Sequence, residues 1–281
     1  MYKILVYKNI TFIQQIKPII IGGNIVSYFL ILAFIFFIGS ILGWFIELIF
    51  RRFFSAANKE RRWINPGFLI GPYLPLYGFS LCTLFLLARI NIDFIENKIL
   101  EQILLFVIMT IVVTFIEYIA GLIFIKGMKI KLWDYTKEWG NIKGIICPKF
   151  SFFWAILSAI YYFLIDSHVL KSLSWLSNHL TFSFVMGFFY GVFVIDVCYS
   201  MNVMVLIREF AHDNEIIIKY ELLKENIRKR NEELLGKKKF IFTMHTGREE
   251  FIRHLIHYKN EQMKNKKFQY QIRIKKEHND R

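Results

Sequence analysis

The chain has 281 residues, 55% of them hydrophobic and 30 of them phenylalanine, a composition that excludes a single soluble core and points to a membrane protein with a polar tail. Its formal net charge of +14 would suggest a nucleic-acid partner in a soluble protein, but no nucleic-acid recognition motif accompanies it. Nineteen of the 36 Lys and Arg follow residue 207, against 12 of the 22 acids, so half of the excess sits in the tail and most of the rest in short loops. Basic segments on the cytoplasmic face of a bilayer, beside anionic headgroups, account for that distribution.

Residues 1–23 carry Lys3, Lys8 and Lys17 but no charged, apolar and small-residue succession of the cleavable-signal kind. "ITFIQQIKPIIIGG" reads as a short interfacial helix ending at Gly22-Gly23. The membrane portion, 24–207, contains about five apolar spans of near-crossing length: 24–50, 67–89, 99–125, 150–166 and 181–207. The fold class expected is an all-α polytopic bundle. Residues 208–281 form a basic, helical and partly disordered cytoplasmic tail.

Lys and Arg cluster in two connections. Arg51, Arg52, Lys59, Arg61 and Arg62 follow the first span; Lys126, Lys129, Lys131, Lys137, Lys143 and Lys149 follow the third. The other two connections hold only Arg89 with Lys98, and Lys171. The basic loops and the tail therefore belong to the cytoplasmic side, with the N-terminus outside.

The second span opens on "NPGFLIGPYLPLYG", residues 65–78, with three of the five prolines. Proline removes backbone donors and frees carbonyls, which is tolerable at membrane depth only beside protein or a wet cavity. A kinked or partly unwound entry is expected, with Gly67 and Gly71 allowing close packing and Tyr77 directed toward Glu117. Three acids lie inside spans: Glu47, Glu117 and Asp196. Each must be protonated, paired or next to a cavity. With the opening of span two they define a candidate substrate pathway lined by Glu47, Glu117, Asp196, Tyr77, Gly71, Pro72 and Pro75. Each acid also has a structural reading: Glu47 paired with Arg51 one helical turn on, Glu117 in a buried hydrogen bond, Asp196 bonded to Tyr199 or Ser200. Three GxxxG patterns, Gly39/Gly43, Gly67/Gly71 and Gly187/Gly191, suit close helix packing.

The loop "KLWDYTKEWGNIKGIICPKF", 131–150, mixes Trp133, Tyr135 and Trp139 with Asp134, Asn141 and Gly144. It reads either as an interfacial aromatic belt or as a gate or docking loop. In the tail, "DNEIIIKYELLKENIRKRNEELLG" reads as a helix capped by Asp213 or Asn214 and by Gly236. Its Ile216, Tyr220, Leu223, Ile227 and Leu234 form a weak heptad seam broken by Arg230, suited to a coiled coil or to packing on cytoplasmic loops. Glu250, His254 and His257 share one helical face, a spacing more ordinary in a solvated face than in a metal site. Cys82, Cys147 and Cys198 form no CxxC pair, and no metal or cofactor is expected.

"GWFIELIFRR", "NPGFLIGPYLPLYG", "FIEYIAG", "LWDYT" and "NIKGIICPKFSFFW", in this order and spacing over residues 35–205, resemble the bacterial ABC-transporter type IV permease family (CmpB-like). Matching positions include Glu47, Asn65, Gly67, Gly71, Pro72, Pro75, Tyr77, Glu117, Trp133, Asp134, Tyr135, Asn141 and Gly144. Family members typically carry arginine where this chain has Pro66, and often a second acid where it has Ile125. The resemblance implies a permease without naming its substrate. The chain has no Walker A sequence, so an ATPase would be a separate subunit, and five spans are few for a complete pathway, so a homodimer is implied. A scaffold or regulator acting through the basic tail is the competing function. A lipid-modifying enzyme is a third, opposed by the lack of Ser-His-Asp, HExxH or Asp-rich metal patterns.

Overall fold

A computed structural model describes residues 20–21, 24–25, 28–55, 58, 60–90, 97–166, 168–169, 171, 179, 182–235 and 247–279. Most of residues 1–23, the expected interfacial helix, lie outside that set, as does Gly236. Ile20–Ile21 (β1) pairs antiparallel with Asn24–Ile25 (β2), across a Gly-Gly pair that is a hairpin signal as well as a helix stop.

The protein is mainly helical. α1 is Tyr28–Phe53, α2 Pro75–Leu87, and α3 Lys98–Leu122 with a π-helical turn at Ile123–Gly127. α4 is Pro148–Ile160 with a second π turn at Tyr161–Ile165, and α5 is Phe182–Asp213. α6, Tyr220–Leu235, and α7, Arg248–Asn279, form the tail; α7 continues through the stretch whose composition suggested disorder. Four helices among the described residues (α1, α3, α4 and α5) are long and apolar enough to cross a membrane. The second apolar span is different. Its helix is only 13 residues long, or about 20 Å at 1.5 Å per residue, and residues 64–74 before it are not helical. Pro75 stands in the first turn of α2, where its missing N–H costs no hydrogen bond.

The chain divides into two compact units. The first comprises residues 1–44, 73–114 and 151–194. Its core is built from Ile31, Ile35, Leu84, Phe85, Met109, Val113, Trp154 and Tyr161. α1 and α2 approach closely here because of glycine. A Cβ on Gly43 would strike the Tyr77 ring, and one on Gly78 would strike Ser40 and Phe36. Outside the helical ladders, Leu74 N–H donates to Ser40 O at 2.9 Å. Arg89 at the end of α2 pairs with Asp166 at 2.9 Å, and the Tyr161 hydroxyl donates to the same carboxylate at 2.8 Å. Gly187 and Gly191, by contrast, face open space among the described residues.

The second unit comprises residues 45–72, 115–150 and 195–281. Its core unites the end of α5 with the tail: Met204, Ile207, Ala211, Ile218, Tyr220, Leu223, Ile227, Phe251, Leu255 and Tyr258, together with Ile130. The heptad positions Tyr220, Leu223 and Ile227 are thus buried within the chain itself. A parallel ladder joins Ile130–Lys131 (β3) of the α3–α4 loop to Ile218–Lys219 (β4) of the tail.

Candidate functional site

The candidate site is the non-helical segment 65–71 and the groups that satisfy its backbone, all within the second unit. Pro66 and Pro72 prevent a regular helical ladder, so side chains take over. Buried Asn65 donates from Nδ2 to Leu69 O at 2.9 Å and Ile70 O at 3.2 Å. Gly67 takes φ +76°, a conformation that favours glycine. The N–H groups of Ile70 and Gly71 donate to Asp196 Oδ1 at 3.1 Å and Oδ2 at 2.7 Å. Ser200, one turn further along α5, donates its hydroxyl to Asp196 Oδ1 at 2.8 Å. A carboxylate on α5 therefore caps the two amides that a continuous helix would have paired.

The carbonyl side is held from the tail. Lys224 Nζ donates to Asn65 O at 2.9 Å and Gly67 O at 3.1 Å. The same ammonium lies 3.3 Å from Glu221, which pairs with Arg51 at 2.6 Å, and Arg51 pairs back to Glu47 at 2.9 Å. Burial opposes the Glu221 anion, but Arg51 and Lys224 outweigh it and hold the carboxyl below its usual range. Burial pulls the Lys224 ammonium below its usual range, with Glu221 opposing and Arg51 reinforcing that pull. Two acids and two bases thus alternate across α1 and α6 and end on the carbonyls of the broken segment. Further out, Arg228 pairs with Glu225 at a similar burial, while Arg62 with Glu232 and Arg228 with the half-exposed Glu60 are the more exposed pairs, of the kind that contributes little.

Glu117, buried on α3, accepts a hydrogen bond from the Tyr135 hydroxyl at 3.3 Å, and Tyr135 stacks on Phe150 at 4.2 Å between centroids. Asp134 takes Lys131 at 2.7 Å, Lys219 of the tail at 2.6 Å and both donors of Thr136. Burial raises that carboxyl, but the hydrogen bonds from Lys131, Lys219 and Thr136 prevail and hold it well below the usual carboxylate range. Asn141 donates to Thr136 O and Glu138 O and accepts from Gly144 N at 2.9 Å, while Trp133 Nε1 donates to Ile145 O at 2.8 Å. Gly144 has φ +66°, and a Cβ there would also meet Lys131 and Thr136.

The structure brings Asp196 to Gly71, and Glu47 to the charge chain that reaches Asn65. It attaches Glu117 to the α3–α4 loop through Tyr135. Tyr77 belongs to the first unit, where its ring packs on Trp154 at 5.0 Å. Pro72 closes the broken segment and Pro75 starts α2. Glu47 does pair with Arg51, and Asp196 with Ser200. Glu221, Lys224 and Lys219 do not stand out in the sequence. Their only trace there is a Glu–Lys pair three residues apart beside the buried Tyr220 and Leu223. Of the tail triad, His257 Nδ1 lies 3.0 Å from Asn226 Oδ1, and His254 is buried.

The profile of one family, described as "Putative ABC-transporter type IV", matches residues 34–201. The chain belongs to this family. The match takes in the broken segment, Glu47, Glu117 and Asp196 and the α3–α4 loop, and ends before Glu221 and Lys224. No curated protein and no solved structure matches the chain. Membership makes it an ABC-transporter-related protein, and its helices make it a multi-pass membrane protein.

Proposed function

We propose that this family member is the membrane-embedded subunit of a transporter, without enzymatic activity of its own, and that its energy comes from a separate ATPase. The observation that carries this reading is the break at residues 65–71, where one carboxylate and one ammonium from different helices replace backbone pairing. Irregular backbone of this kind lines substrate paths in transporters, because polar groups there can exchange partners without exposure to lipid. The basic loops and tail support a cytoplasmic placement of α6 and α7 in a bacterial cell membrane, with the N-terminus outside. Five apolar segments favour a homodimer, and the charge distribution favours lipid over nucleic acid.

Mild-detergent purification from the native cell tests this. A co-purifying nucleotide-binding subunit and ATP-dependent flux in proteoliposomes are expected. Neither appearing, with the chain monodisperse and folded, would overturn the reading.

The competing role is a scaffold working through the tail, favoured by the outer half of α7, where Met263 and Phe268 are exposed. Removing residues 208–281 cannot separate the two roles, because it also removes Lys224 from the break. Truncation after residue 260 can. Loss of function there, with Glu47, Glu117 and Asp196 dispensable, supports the scaffold.

A further inference from the structure

We propose that the loop between α3 and α4 is an anchor for an anionic membrane surface, with residues 137–144 lying at the bilayer boundary and Trp139 and Ile142 inserted among the headgroups. This rests on the protein spanning a membrane and is independent of what it transports.

The loop folds back along α3. Tyr135 reaches Glu117, Lys143 Nζ lies 6.0 Å from the centre of the Tyr118 ring, and Gly121 lacks the Cβ that would collide with Ile145. Glu117, Tyr118 and Gly121 share one helical face. They precede Lys126, the exposed cation that ends the apolar run, by five to nine residues, or about 7–13 Å along the axis. A cation at the end of a span marks its water boundary. The loop is therefore held on the membrane side of that boundary and not beyond it.

Irregular backbone survives at this depth only if its polar groups are satisfied. Here Asn141 bonds to Thr136 O, Glu138 O and Gly144 N, Ile142 N–H donates to Ile146 O at 2.9 Å, and Tyr135 N–H donates to Gly144 O at 2.9 Å. What this self-contained loop displays is amphipathic. Trp139 is 85% exposed and Ile142 52%, and the neighbouring Lys137 and Lys143 are also exposed. The nearby acid Glu138 is engaged by Lys149 at 3.2 Å. An indole with lysines beside it matches a headgroup layer that is apolar below and anionic above. The charge left unpaired is positive, and α3, along which the loop folds, exposes Phe115, Ile119 and Ile123 on its other face as a membrane-crossing helix does, so a bilayer is the occupant that fits.

The test uses the full chain with Cys198→Ala, which removes its exposed thiol, and Trp139→Cys carrying bimane. The protein is reconstituted into vesicles of phosphatidylcholine, or of phosphatidylcholine with phosphatidylglycerol, brominated either near the headgroup or deep in the chain. Blue-shifted emission, stronger quenching by shallow than by deep bromine, and a further rise with phosphatidylglycerol are expected. Lys137→Gln with Lys143→Gln should abolish that rise. Ile142→Cys should repeat the result if the first variant unfolds, and a label at Met263→Cys on α7 should stay unquenched throughout. Emission and quenching at position 139 indistinguishable from position 263 would overturn the proposal, as would a label at position 139 that becomes shielded only when a second protein is added.

Discussion

Lys224 and Asn65 stand 159 residues apart in sequence, yet the Lys224 ammonium donates to the Asn65 carbonyl at 2.9 Å. A tail helix outside the family match thereby stabilises the break in an apolar segment inside it. On the opposite side of that break the Asp196 carboxylate takes the Ile70 and Gly71 amides. The conformation of 65–71 thus depends on two charges that no local sequence rule supplies.

Lys224→Met should be strongly destabilising. It leaves Glu221 with one cation instead of two and removes a charged donor from two carbonyls, a loss of the class that costs about 1.5–3 kcal/mol. Lys229→Met, at an exposed pair with Glu225, should cost less than about 1 kcal/mol. Thermal unfolding of the two variants in the same detergent measures the contrast. Equal melting temperatures would remove Lys224 from its assigned role.

Asp196→Asn keeps the shape of the side chain but replaces one acceptor oxygen by an amide that cannot accept. One of the Ile70 and Gly71 amides should lose its partner, and hydrogen exchange at residues 70–71 should accelerate while exchange in α3 stays unchanged. Ser200→Ala removes a single hydroxyl donor and should cost about 1 kcal/mol. Unaltered exchange at 70–71 in Asp196→Asn would show that the break is held by other groups.

His254 supplies a pH-dependent term in the tail. Its ring is buried, and neither ring nitrogen has a hydrogen-bond partner among the described residues. Burial lowers its pKa first, Arg230, His257 and Arg253 lower it further, and Glu250 opposes them. A histidine whose folded pKa is depressed binds protons more readily unfolded, so its stabilising contribution is present above the unfolded value, about 6.5, and declines as pH falls below it. Melting temperature should drop between roughly pH 7 and 5 in the wild type, and His254→Leu should flatten that slope.

Asp134 works in a lower window. Its folded pKa is depressed, so its contribution is complete above the ordinary carboxylate value of about 3.9 and is lost as pH falls through the lower folded value. Lys219→Gln removes the tail's contact with it and should loosen the β3–β4 ladder at neutral pH. The difference from wild type should shrink in acid, as measured by exchange at Ile218, whose N–H donates to Lys129 O at 3.0 Å.

The glycines give an internal control. Gly43→Ala should cost about 1–3 kcal/mol because its methyl meets Tyr77, whereas Gly187→Ala meets nothing among the described residues and should stay within about 0.5 kcal/mol. Helix content and melting temperature of the two variants decide it. Equal effects would mean that α1 and α2 can separate at no cost.

Sequence alone determined the all-α membrane class, the family and the broken entry of the second apolar segment, and it offered Glu47–Arg51 as one reading and Tyr199 or Ser200 as the partner of Asp196. These follow from composition, proline placement and contacts one helical turn apart, which a one-dimensional pattern encodes. Only the tertiary structure decided that α2 is too short to cross by itself, that the tail's heptad face is buried within the chain, and that Lys224 and Asp196 share the 65–71 backbone. Such choices depend on which distant charge meets an unpaired carbonyl or amide. A lysine in a polar helix carries no local mark of that fate. Burial and geometry, which arise only when the chain is folded, separate Lys224 from the many solvated lysines around it.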